Sequence, residues 1–176
     1  EHTDWIIINE DGSWRRNGFW ESEDQKNWYC PCPNVKGYSD ALMDYLEKLL
    51  KAGANGIFLD NVEFKQECYG PEHGVHKHMY ATQMEACDAL LARTRALILS
   101  YDPEGALLGN TVEADYWPYM DCGMSESFIC TWVSKERWGD WHKFWNQLDK
   151  QSAKPLKEGK QICCLSYLGH TPYSIK

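Results

Sequence analysis

With 176 residues and 43% hydrophobic content, the chain is long enough for one substantial core and too apolar for disorder. A net charge of −8 and a pI near 5.2 argue against a nucleic-acid or anionic-membrane partner. No window approaches the roughly 18 unbroken apolar residues of a membrane span. Aromatic residues make up 14%, with nine Trp and ten Tyr; such rings serve sugar-binding surfaces as well as cores.

Residues 1–176 read as one α/β domain. The first expected strand covers Asp4 to Asn9, a β-branched run with Asn9 at its carboxyl end. Glu10 to Ser13 is turn chemistry, and Trp14 to Gly37 has no period but carries Trp14, Trp20, Trp28 and Tyr29, which suits a functional loop. A helix capped by Ser39 follows, with Leu42, Tyr45, Leu46, Leu49 and Leu50 on one face and Gly53 as its stop. Ile57-Phe58-Leu59-Asp60 then reads as a short strand buried on both faces of a parallel sheet.

Val62 to His78 is a second long loop, with Cys68 and three histidines. A helix is expected from about Tyr80 to Ser100 on the stripe Met84, Cys87, Leu90, Leu91, Leu97 and Ile98, broken by Asp102-Pro103-Glu104-Gly105. Further strands are expected at Ala106–Thr111, Asp121–Glu126 and Gln161–Leu168. Lys135 to Gln151 carries an aromatic helix face. Alternation of strand and helix indicates a parallel sheet.

Several strands end in polar groups: Asn9, Asp60-Asn61, Asn110-Thr111 and Ser125-Glu126. No glycine-rich phosphate loop is present, and polar groups at many strand ends suit a TIM-type (β/α) barrel. Asp60 and Glu126 are the two acids so placed. Two carboxyl groups facing a glycosidic bond can divide nucleophilic and acid/base work between them.

Gly56-Ile57-Phe58-Leu59-Asp60-Asn61, after an amphipathic helix, resembles the fourth strand of glycoside hydrolase barrels related to the α-galactosidase clan and of glycosidase-like barrel families. The resemblance implies that Asp60 is the nucleophile. Glu126, in Gly123-Met124-Ser125-Glu126-Ser127-Phe128, resembles the acid/base position near strand six, with Glu where the α-galactosidase clan carries Asp. The strands then map onto strands three to seven. A closed barrel needs eight strands and about 250 residues, so the chain is expected to be part of a longer barrel. The expected activity is retaining hydrolysis of an α-linked sugar in an oligo- or polysaccharide. Asn9, Trp28, Asn61, His76, His78, Asn110, Glu113, Trp132 and Tyr167 are the candidate substrate contacts. Trp117 is a further candidate for stacking, and Glu113 and Asp115 are reserve acids.

Two rivals are a non-catalytic carbohydrate-binding domain on a degenerate barrel and a metal-dependent barrel hydrolase using His76-Lys77-His78. The surrounding Gly70-Pro71-Glu72-His73-Gly74 marks a loop, so surface or sugar-contacting histidines are expected, with no metal and no cofactor. None of the eight cysteines forms a C-x-x-C pair; a disulfide from Cys30 or Cys32 to Cys68 is conceivable, and the others read as buried thiols. Glu1 suggests a processed or truncated N-terminus, so the location stays open, with a leaning toward the exterior or periplasm.

Overall fold

The computed structural model describes residues 2–16, 28–60, 66–110, 116–125 and 156–165. The chain packs as two compact units, residues 1–53 with 64–97, and residues 54–63 with 98–176.

In the first unit a 3-10 turn, Thr3–Trp5, leads into an irregular antiparallel clasp. Ile6 bridges Pro31, Ile8 bridges Trp14 and Arg16 bridges Tyr29. The expected strand at 4–9 is therefore not a strand of the parallel sheet. Its peptide groups are taken up instead by antiparallel partners: the Ile7 N–H donates to the Cys30 carbonyl at 2.8 Å, and the Ile7 carbonyl accepts from the Arg15 N–H at 2.8 Å. Ile7, Ile8, Cys32, Val35 and Cys68 form a buried cluster flanked by Trp5, Cys30 and Tyr38.

Helix α1, Lys36–Lys51, starts earlier than the Ser39 cap expects, with Val35 at its N-terminus and no side-chain cap. Ser39 is instead buried inside the helix, where its hydroxyl accepts from Arg93 at 2.9 Å. Leu46 and Leu50 face inward, while Tyr45 and Leu49 are exposed, so only two of the five residues of the expected stripe are buried. Gly53 adopts the left-handed backbone that ends such a helix (φ 101°). Helix α2, Gln83–Tyr101, buries Ala86, Cys87, Leu90, Leu91 and Thr94 along one side. Its first turn is closed reciprocally: the Glu85 N–H donates to the Thr82 hydroxyl and the Thr82 N–H to the Glu85 carboxylate, each at 3.1 Å.

The second unit holds a four-stranded parallel sheet in the order β1 (Gly56–Leu59), β2 (Ala106–Asn110), β3 (Cys122–Ser125), β4 (Gln161–Cys164). Gly56 pairs with Ala106, Leu108 with Cys122 and Cys122 with Gln161. Polar side chains stitch the amino ends of the strands. The Asn55 amide donates to Asp102 at 2.8 Å, and the Asp121 carboxylate accepts from the Leu107 N–H at 2.8 Å. The Asp121 carbonyl also accepts from the Gln161 N–H at 2.8 Å. Burial on both faces does not hold for β1: Ile57 is 4% exposed but Phe58 is 50% exposed. The expected helix at 135–151 lies outside the described residues.

Candidate functional site

All four strands point the same way, so their carboxyl ends share one edge of the sheet. Asp60 immediately follows β1 on that edge and is exposed. Its neighbour is Asn110, the last residue of β2, only 3% exposed, whose amide donates to Asp60 Oδ1 at 2.9 Å. A buried amide fixed by its strand is a rigid orienting group for a carboxylate. Sequence pattern had placed both residues at strand ends; the structure adds that they touch. β3 ends at Ser125, on the same edge, and Glu126 is the next residue in the sequence.

Glu126, Asn61, Glu113, Asp115, Trp132 and Tyr167 lie outside the described residues. Trp117 does not present its ring for stacking. It is 7% exposed and lies against β3, where a Cβ on Gly123 would meet its ring at 2.5 Å. In the first unit, Trp28 is 52% exposed. Asn9 ends no strand of the sheet; its side-chain amide donates to the Ser13 hydroxyl and its backbone N–H to the Ser13 carbonyl, both at 2.9 Å, closing the 9–13 turn.

His76 and His78 fall in a cluster that sequence reasoning missed. Their nitrogens and the sulfurs of Cys32 and Cys68 all lie within 4.8 Å of one another. Each thiol meets one imidazole: Cys68 Sγ is 3.3 Å from His76 Nε2, and Cys32 Sγ is 3.7 Å from His78 Nε2. The Ile8 N–H points at Cys68 Sγ (3.4 Å) and the Gln83 amide at Cys32 Sγ (3.2 Å). These contacts split the two thiols. The hydrogen bond between them, supported on Cys68 by His76 and by the Ile8 and Gly70 N–H groups, holds Cys68 below the ordinary thiol range against its burial. The same bond and burial push Cys32 up. Cys30, Cys32 and Cys68 are free thiols, so the conceivable disulfide to Cys68 is not formed.

No protein-family model matches the sequence, and no curated protein matches it either. Among solved structures, the chain is similar to the glycoside hydrolase domain of a PelA variant from Pseudomonas aeruginosa. That match has a TM-score of 0.61 and 19% identity, and covers 89% of this chain and 57% of that one. The chain is also similar to α-L-fucosidase isoenzyme 2 from Paenibacillus thiaminolyticus, with a TM-score of 0.56 and 14% identity, covering 93% of this chain and 31% of that one. The fold is one that glycoside hydrolase domains use. At these identities the likeness is one of fold, and the chain spans little more than half the length of the PelA domain.

Proposed function

We propose that the protein is a glycosidase built on a (β/α) barrel of which this chain supplies one part, with Asp60 as the nucleophile. The observation that carries this is Asp60 at the carboxyl edge of a parallel sheet, held by buried Asn110, on a fold shared with glycoside hydrolase domains. Ligands of such sheets gather at that edge, in the crevice formed by the carboxyl ends of the strands and the loops that follow them. Glu126 is the proposed acid/base. In the sequence it is the next residue after β3, and β1 and β3 are separated by two strand spacings, about 10 Å.

In the retaining form, Asp60 attacks the anomeric carbon while Glu126 protonates the departing oxygen. Glu126 then takes a proton from the water that releases the sugar from Asp60. Asn110 holds the Asp60 carboxylate for attack. Asn61, Glu113, Trp132 and Tyr167 are the proposed sugar contacts of the same unit.

The test is a panel of oligo- and polysaccharides and aryl glycosides assayed with the full-length protein. Hydrolysis that disappears in Asp60→Asn with an unchanged circular dichroism spectrum supports the proposal. Glu126→Gln is expected to lose on the order of 10²–10⁴-fold in rate, least on substrates whose leaving group needs no proton. Sugar binding without any turnover would point instead to a binding domain on a degenerate barrel, and undiminished turnover by Asp60→Asn would reject the assignment.

A further inference from the structure

We propose that Cys32, Cys68, His76 and His78 form a tetrahedral site for a structural zinc ion within the first unit. The donor set has the composition of closed structural zinc centres, two thiolates and two imidazoles. Zinc–sulfur bonds of about 2.3 Å and zinc–nitrogen bonds of about 2.0–2.1 Å, set tetrahedrally, give ligand-to-ligand edges of about 3.3–3.8 Å. The two thiol–imidazole separations, 3.3 and 3.7 Å, bracket the sulfur-to-nitrogen edge of about 3.5–3.6 Å that those bond lengths give.

Charge fits as well. Both cysteines are buried, and a divalent cation with two thiolates and two neutral imidazoles has no net charge to desolvate. Surrounding donors complete the pattern. The Ile8 N–H and the Gln83 amide each point at a ligand sulfur, as outer hydrogen bonds to metal thiolates do. The His76 ring sits where any side chain at Gly70 would be, since a Cβ there would meet His76 Nε2 at 2.1 Å. With Nε2 facing a sulfur, the other ring nitrogen of His76 is buried without a hydrogen-bond partner among the described residues.

The ion also answers a structural need. Described residues 66–82 contain neither helix nor strand, and the metal would tie two points of that segment, Cys68 and His76–His78, to Cys32 ahead of α1. A disulfide between Cys32 and Cys68 would make a poorer link, leaving both histidines without a task. The assignment also separates this cluster from a catalytic metal. All four positions are filled by protein, and no carboxylate belongs to the group.

The experiment is metal analysis of the full chain purified under reducing conditions, followed by chelation and reconstitution with Zn2+ or Co2+ alone. One zinc per chain is expected. The cobalt form should show intense visible d–d bands with a thiolate charge-transfer band in the near ultraviolet, the signature of tetrahedral sulfur ligation. Cys68→Ser and His78→Gln should each lose stoichiometric metal, whereas Cys163→Ser should retain it. Wild-type protein needs no variant to fold, so its reconstitution decides the matter. Failure of the folded chain to take up either metal, a pale octahedral cobalt spectrum, or a Cys32–Cys68 disulfide in metal-free protein would each overturn the site. None of these readouts depends on glycoside hydrolysis.

Discussion

Asn110 and Asn34 are both buried amides with opposite tasks. Asn110 orients one carboxylate at the sheet edge. Asn110→Ala would remove one hydrogen bond that positions the Asp60 carboxylate, and misplacement of a reacting group by about 1 Å costs on the order of 10²-fold in rate. The expected outcome is a fall in kcat of that size with little change in KM, read from steady-state kinetics on whichever substrate the panel identifies. Asn34, fully buried, joins two chain segments. Its side chain accepts from the Tyr80 N–H at 2.8 Å and donates to the Tyr80 carbonyl at 3.0 Å, while its backbone carbonyl accepts from the Met79 N–H at 3.0 Å. Those segments are the ones that carry Cys32 and His78. Asn34→Ala leaves two backbone groups of Tyr80 without their partner, and urea unfolding should show a loss of about 2 kcal/mol.

At the scale of elements, the Thr82–Glu85 closure of α2 is a local device with a local effect. Thr82→Ala should cost about 1 kcal/mol in thermal or urea unfolding. Helix α1 has no such cap and is held instead by its neighbours. Asp40 is paired with Lys36 and with Arg93, and these bonds, that to Lys36 foremost, hold its carboxyl below the ordinary range. A carboxyl whose folded pKa is depressed contributes stability above its unfolded value of about 4, and loses it as the pH falls through the folded value. Asp40→Asn should therefore flatten the acid limb of the stability curve below about pH 4 and lower stability slightly at neutral pH.

The elements that sequence pattern located well are those whose pattern reports their surroundings. Short apolar runs ending in a polar residue gave Gly56–Leu59 and Ala106–Asn110, because runs that short, bounded by turn residues, suit strands better than helices. Ile6-Ile7-Ile8 has the same composition, yet it bridges antiparallel to residues near 14 and 31. Composition carries no information about partner direction. The Ser39 cap failed for a related reason: a hydroxyl suits a helix start, but Arg93, far along the chain, holds it inside the helix.

For the whole molecule, a sheet-edge acid can be read locally, since strand and acid are adjacent in sequence. The cysteine–histidine tetrad cannot. Its members come from three segments on either side of α1, and only His76-Lys77-His78 shows in the sequence. Cys32, next to Cys30, reads as one of a cramped pair, and Cys68 reads as isolated until the chain folds. The fold likeness to glycoside hydrolase domains and the Asn110–Asp60 hydrogen bond are both independent of that cluster.

The most direct measurement is chemical rescue of Asp60→Ala by azide, in the full-length protein, on whichever activated aryl glycoside the wild-type protein is found to cleave. Without azide the variant should be inactive. With azide it should regain turnover and release a glycosyl azide of inverted anomeric configuration, because the small anion takes the place of the missing carboxylate. An Asp60→Ala protein that hydrolyses the substrate at the wild-type rate without azide would show that the chemistry lies elsewhere.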